Sequence, residues 1–167
     1  YTFWVALGLM YEDKKTLDFK TLRVILYFIF GVTVLQIIYG AFVAGLNAGF
    51  VMNTFPKMGD QWISDSVTAL SPTWLNFVEG IGGVQFIHRY LAYLVVGLIV
   101  YFVVRSRKYE LSVRQKNSTN ILLYAVLFQF LLGVFTLILS VPVWLGVLHQ
   151  LGAFLLLTAK PQKYLEK

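Results

Sequence analysis

The fold is decided by residues 24–50, which read VILYFIFGVTVLQIIYGAFVAGLNAGF and contain no charged side chain. This uncharged stretch lies between Arg23 and Lys57, and a second one lies between Lys116 and Lys160. Each is longer than the roughly 20 apolar residues that a helix needs to cross a bilayer. Because only 13% of the 167 residues are charged and 58% are hydrophobic, the composition excludes a soluble domain. We therefore predict an all-α integral membrane protein.

Hydropathy along the chain predicts a bundle of four transmembrane helices, of which this run forms the first. They cover residues 21–48, 84–104, 119–139 and 143–159, and together form the predicted domain 21–159. A long loop, 49–83, separates the first two helices, whereas Ser140 to Pro142 allows only a tight hairpin between the last two. Residues 1–20 are interpreted as the end of a truncated preceding helix with its linker, and 160–167 as a basic tail.

Basic residues predict the orientation of the helices. Of the 14 lysines and arginines, twelve lie in segments 11–23, 105–118 and 160–167, and the other two are Lys57 and Arg89. The positive-inside rule places the three basic segments on the cytoplasmic side or its equivalent and loop 49–83 on the outer side. Since these charges flank apolar spans, the chain's net charge of +6 indicates a lipid bilayer as partner, not a nucleic acid.

The residues that are missing also restrict the chemistry. The chain has no cysteine, which excludes disulfides, thiolate metal sites and cysteine nucleophiles. No aspartate or glutamate lies within the four predicted spans, whereas proton pumps and ion-coupled transporters usually keep an ionisable group there.

The two histidines of the chain are the candidate metal ligands. His88 and His149 lie a few residues into the second and fourth helices, which run in the same direction, so both are expected at a similar depth near the outer face. Facing histidines on two helices of a bundle can bind one haem iron from its two sides. The alternative is that they are only polar residues at the membrane boundary.

The neighbours of the two histidines suit a haem site. Arg89 adjoins His88, where haem propionates would need a cation, and Gln85 lies on the same helix face. Gly152 and Ala153 follow His149 by about one turn and would leave room for a ring edge. Arg89 could instead only anchor its helix by snorkelling.

Two further stripes of residues are interpreted as ordinary helix-packing surfaces. The first consists of Gln36, Gly40 and Asn47, and the second of Gln129, Gly133 and Thr136.

Three motifs resemble the haem A synthase family, whose members take part in cytochrome oxidase assembly. They are YGAFVAGLNAGFVMNTFPKMG at 39–59 with the following Trp62-Ile63, VQFIHR at 84–89 and LHQLG at 148–152, and the order and spacing match over residues 21–159. The family enzyme resembles a tandem repeat of two four-helix bundles and oxidises a ring methyl of haem O to a formyl group. The chain resembles the C-terminal bundle, which holds a haem b as electron-transfer cofactor.

The resemblance implies roles for particular residues. His88 and His149 would be the axial ligands of the haem b iron, and Arg89 would contact a propionate. Val84 stands where the catalytic bundle of the family carries a glutamate, which suits a cofactor-binding half without catalytic residues of its own. The resemblance also implies that haem O is the substrate of the complete enzyme and that an unidentified electron donor supplies its electrons. Haem O synthase and oxidase assembly factors are the implied partners. The implied location is a bacterial plasma membrane or a mitochondrial inner membrane.

Two alternative functions remain open at this point. The first is a membrane cytochrome b-type subunit that transfers electrons without catalysis. The second is an assembly scaffold that binds no haem, and a low-spin haem spectrum of the purified protein would exclude it.

Overall fold

The computed structural model describes residues 20–158, and this part of the chain is all-α. It contains four α-helices: α1 (Lys20–Gly45), α2 (Ile81–Ser106), α3 (Val113–Ile138) and α4 (Val143–Thr158). The first three are long and apolar enough to cross a membrane, whereas α4 has 16 residues and is shorter. The prediction of an all-α membrane bundle is confirmed. The predicted preceding helix end and the basic tail lie outside the described residues.

The helices pack in two antiparallel hairpins, α1 with α2 and α3 with α4, which meet through α2 and α3. Within residues 20–158, α2 and α4 have almost no direct packing against each other. The buried apolar core lies at the end of the bundle where α2 ends and α3 begins, and it includes Leu26, Ile29, Ile99, Phe102 and Leu122. At the opposite end, where α2 and α4 begin, Ala48, Met58 and Val67 of the loop and Val84 of α2 are buried.

Large apolar side chains cover the outside of the bundle. Phe28 is 57% exposed, Tyr124 is 68% exposed and Phe128 is 67% exposed, and all three lie in the middle of long helices. An apolar surface of this extent is unfavourable in water and is typical of a lipid-facing helix.

The third helix begins six residues earlier than hydropathy predicts. Ser112 and Gln115 form a capping box, in which the Ser112 side chain accepts from the Gln115 backbone and the Gln115 side chain accepts from the Ser112 backbone. The first two turns are polar, so an apolar window begins only near Thr119. The helix ends with Ser140 at φ 59° and with a hydrogen bond from Val141 N–H to the carbonyl of Thr136, which is a Schellman motif.

The loop between α1 and α2 covers residues 46–80 and packs on the first turns of α2. It contains three short 3-10 helices, Ala48–Phe50, Asp65–Thr68 and Thr73–Phe77. In the third of these helices Pro72 is the N-cap, and no side chain caps it. The buried Asn76 side chain organises this segment instead, because it bonds both backbone groups of Leu70 and the carbonyl of Thr73.

Candidate functional site

Each histidine lies against a glycine of the preceding helix. A Cβ added at Gly40 of α1 would lie 3.1 Å from Cε1 of His88, which is on α2. A Cβ added at Gly133 of α3 would lie 2.7 Å from Cε1 of His149, which is on α4. Because such distances are shorter than ordinary van der Waals contacts, the absence of a side chain at these glycines lets the imidazoles approach the helices.

Each histidine also has a glutamine neighbour one turn before that glycine. Nε2 of Gln36 lies 3.5 Å from Nε2 of His88. Nε2 of Gln129 lies 3.1 Å from Nδ1 of His149 and donates to the backbone carbonyl of the same histidine at 2.7 Å. The contact of Gln129 is therefore the shorter and the more extensive of the two.

The two hairpins repeat the same arrangement. In α1 and in α3 a glutamine precedes a glycine by four residues (Gln36 and Gly40, Gln129 and Gly133), and the helix ends five residues after the glycine. Residues Asn47 and Ser140, which follow those glycines by seven, both adopt a left-handed conformation, with φ 52° and 59°. These stripes were predicted to be packing surfaces, and their contact with the histidines was not predicted. Comparing the two spacings would have detected the repeat.

His88 and His149 lie on α2 and α4, which begin at the same end of the bundle. Within residues 20–158, the backbones of these two helices make few or no close contacts with each other. Within residues 20–158, Nδ1 of His88 is buried and has no hydrogen-bond partner. A buried ring nitrogen without a partner is unfavourable, and a metal ion would satisfy it. Paired imidazoles on separated helices therefore fit the chemistry of a haem iron, but their ligand role stays a prediction.

Arg89 is buried and fastens the loop between α1 and α2. Its Nη1 donates to the carbonyls of Thr54 at 2.8 Å and Lys57 at 2.9 Å, and its Nη2 donates to the carbonyl of Met52 at 2.6 Å. Among the described residues, Nε has no partner. A guanidinium has five N–H donors, so Nε–H and one hydrogen on Nη2 remain for another acceptor. The cation could thus hold the loop and also contact a carboxylate.

Gln85 fastens the same loop. Its amide donates to the carbonyl of Ala48 at 3.0 Å and to that of Val51 at 2.7 Å, while its Oε1 is buried without a partner among residues 20–158. The sequence predicts that Gln85 lies beside the cofactor. Its hydrogen bonds to the loop were not predicted, because helix spacing carries no information about a loop more than 30 residues away along the chain.

Gly152 makes room for a side chain. A Cβ at Gly152 would collide with Oε1 of Gln129. The absence of a side chain at Gly152 leaves room for the Gln129 amide, which contacts His149. The sequence predicted that the edge of a haem ring would occupy this space. Ala153 follows His149 by one turn and is half-buried.

Asn53 connects the loop to the second hairpin and was missed by the sequence analysis. Its Nδ2 donates to the carbonyl of Gly49 within the loop and, at 2.8 Å, to the carbonyl of Leu137 in α3. The loop therefore bridges both hairpins at the end of the bundle that carries the histidines.

The chain matches the model of one known protein family. The COX15-CtaA family of cytochrome oxidase assembly proteins matches residues 1–160. The chain belongs to this family of cytochrome oxidase assembly proteins. Its membership agrees with the resemblance inferred from the motifs at 39–59, 84–89 and 148–152.

Curated relatives within the family carry the name heme A synthase. The one from Flavobacterium psychrophilum is 51% identical over 159 residues, which cover 94% of this chain and 47% of the relative. The one from Flavobacterium johnsoniae is 47% identical over 161 residues, covering 95% of this chain and 47% of the relative. The chain thus spans about half the length of these relatives. No solved structure matches it.

Proposed function

We propose that this bundle binds a haem b between His88 and His149 and serves as the electron-transfer half of a heme A synthase-type oxidoreductase. The observation that supports it best is the pair of imidazoles, each lying against a glycine of the preceding helix, on α2 and α4. Two neutral imidazoles suit a low-spin iron. When bound, the haem would supply one-electron transfer, and haem O would be the substrate of the complete protein.

The residues of the chain would bind and orient the group. Gly40 and Gly133 let the two imidazoles approach α1 and α3. Arg89 would offer Nε–H and one Nη2 hydrogen to a propionate, and its fixed guanidinium geometry suits a carboxylate better than a lysine ammonium would. Lys57, exposed in the loop, is a second candidate cation.

An electron-transfer role is favoured over oxidation of a substrate within this bundle. None of the four helices contains an aspartate or a glutamate, and Val84, one turn before His88, is fully buried. The proposal therefore assigns the oxidation of haem O to a part of the complete protein outside this chain. By the positive-inside rule, segment 105–118 and the tail 160–167 would face the cytoplasm or the matrix, and loop 49–83 the outer side of a bacterial plasma membrane or mitochondrial inner membrane.

The test is the optical spectrum of the complete membrane-inserted protein and of two ligand variants. His88→Ala or His149→Ala should each lower the low-spin haem signal of this bundle, because the chain has only these two histidines. Gln150→Ala, next to His149 on the exposed face of α4, is the matched control and should leave the signal unchanged. A low-spin spectrum that is identical in all three variants would show that neither histidine binds the iron.

The contact of Arg89 with a propionate is tested by haem content. Arg89→Leu should retain less haem than Arg89→Lys, which keeps a positive charge but cannot form a bidentate contact. Haem content and reduction potential equal to those of the parent in Arg89→Leu would exclude the propionate contact and leave Arg89 with its loop contacts alone.

A further inference from the structure

Three residues of α2 donate hydrogen bonds to the irregular backbone of the loop between α1 and α2. Arg89, Tyr90 and Tyr93 together reach five carbonyls within residues 52–62. Arg89 binds three of them, and the hydroxyl of Tyr90 donates to the carbonyl of Trp62 at 3.3 Å. This part of the loop therefore lies along the side of α2, with five of its carbonyls paired by side chains.

The three donors lie well inside the span of α2. The helix begins at Ile81, so Arg89 lies eight residues and Tyr93 twelve residues along it, which is about 12 Å and about 18 Å. With 26 residues, α2 is about 39 Å long, so only a few ångströms at each end extend beyond a hydrocarbon core of about 30 Å. Side chains on a helix lean toward its first residue, which brings the carbonyls that they reach to the boundary between the headgroups and the acyl chains.

The outer surface of the same loop segment is apolar. Phe55, Trp62 and Ile63, which we call the loop face, are all exposed. Tyr90, which binds the carbonyl of Trp62, is itself exposed, and so is Leu94 one turn further along the same side of α2. The loop face is therefore continuous with the lipid-facing surface of α2.

The charged residues of this segment are confined to one turn. Lys57 and Asp60 are the only charged residues in the sequence of segment 46–63. Thr54 closes the turn, because its hydroxyl donates to the carbonyl of Lys57 and accepts from the N–H of Gly59. A lysine side chain is long enough to reach the headgroup phosphates from the edge of the acyl chains. The charges are thus compatible with a membrane position of the apolar side chains on either side of the turn.

We propose that the loop face inserts into the lipid leaflet that surrounds the histidine end of the bundle. Irregular backbone at this depth is tolerated where protein donors satisfy its polar groups, and Arg89, Tyr90 and Tyr93 supply such donors. Tryptophan favours the boundary because its ring is apolar while its N–H needs a polar partner. The loop is then an interfacial element of the membrane domain and not a solvated connection.

The test compares two tryptophans in the complete protein, embedded in phosphatidylcholine nanodiscs. Hydroxyl radicals generated in the water oxidise exposed side chains, and mass spectrometry gives the rate at each site. Trp62 and Trp74 are 56% and 62% exposed, so their rates should be similar if both faced water. Trp74 is the matched control because its helix, Thr73–Phe77, packs at the first turn of α2, where Asn76 lies against Gly83.

We expect Trp62 to be oxidised several-fold more slowly than Trp74. In a parallel experiment, the lipid acyl chains carry a diazirine, which forms covalent adducts with neighbouring side chains on irradiation. Adducts should form at Trp62 and Ile63 and not at Trp74.

A conservative variant tests the role of the donors on α2. Tyr90→Phe keeps the ring but removes the hydroxyl that binds the carbonyl of Trp62, so the oxidation rate of Trp62 should rise a few-fold. Tyr101→Phe, at an exposed tyrosine nearer the other end of α2, is the control and should leave the rate unchanged. An equal rate at Trp62 in both variants would refute the contribution of the Tyr90 hydroxyl.

Two results would overturn the proposal as a whole. Equal oxidation of Trp62 and Trp74 without lipid adducts would mean that the loop face lies in water. Slow oxidation of Trp62 without lipid adducts would mean that protein covers the loop face, either another part of the complete protein or a partner. Neither result depends on haem binding, so the proposed function would stand in both cases.

Discussion

Replacing Arg89 by leucine should release the loop between α1 and α2. The guanidinium donates three hydrogen bonds to the carbonyls of Met52, Thr54 and Lys57, at 2.6 to 2.9 Å. Hydrogen bonds from a charged donor contribute about 1.5–3 kcal/mol each, but Thr54 and Lys57 are exposed enough for water to replace the arginine. We therefore assign about 1 kcal/mol to each bond and about 3 kcal/mol to the contact as a whole.

The assay is cleavage by trypsin after Lys57 in detergent-solubilised protein, followed by mass spectrometry of that one site. Lys57 is exposed, but its own carbonyl, which belongs to the bond that trypsin cleaves, accepts from Arg89. Cleavage requires the loop to open, so its rate follows the population of the open form. A loss of about 3 kcal/mol predicts a rate roughly a hundredfold higher in Arg89→Leu.

Two further variants make this result specific. Arg89→Lys should cleave at an intermediate rate, because an ammonium cannot reach three carbonyls as a planar guanidinium does. Arg107→Leu, which removes an exposed arginine just beyond the other end of α2, should leave cleavage after Lys57 unchanged. An unchanged rate in Arg89→Leu would refute the reasoning, since the loop would then be held by contacts that do not involve Arg89.

Gly133→Ala should displace the imidazole of His149 and lower the low-spin haem signal. Gly97→Ala is the control, because a Cβ added there meets nothing within 4 Å. It should leave the spectrum unchanged and raise helix stability by about 0.5–1 kcal/mol. A low-spin haem spectrum of Gly133→Ala equal to that of Gly97→Ala would contradict the contact between Gly133 and His149. Ser112→Ala should remove the capping box of α3 and lower the free energy of unfolding by about 1 kcal/mol, measured by thermal unfolding in detergent. Asn76→Ala should lower it by about 2–3 kcal/mol through the loss of three hydrogen bonds in the loop, and a change below about 0.5 kcal/mol would show that these bonds are dispensable.

The sequence alone predicted the elements that depend on local properties. Four helices follow from apolar runs of sufficient length, and the depth of His88 follows from a rise of about 1.5 Å per residue, because both properties are set within one segment. The similar predicted depth of His88 and His149 led to the haem-ligand hypothesis, and the family motifs specified the group as a haem b. The start of α3 at Val113 was missed because its first turns are polar, although Ser112 and Gln115 show the pattern of a capping box.

Only the tertiary structure decided which groups meet at the histidines and at Arg89. Gln129 and Gly133 lie on a different helix from His149, and the carbonyls that Arg89 binds lie more than 30 residues away along the chain. Helical periodicity describes the faces of one helix, but it contains no information about the path of a loop or about which helix packs beside another. Backbone carbonyls are present at every residue, so only the fold determines which of them receive the guanidinium.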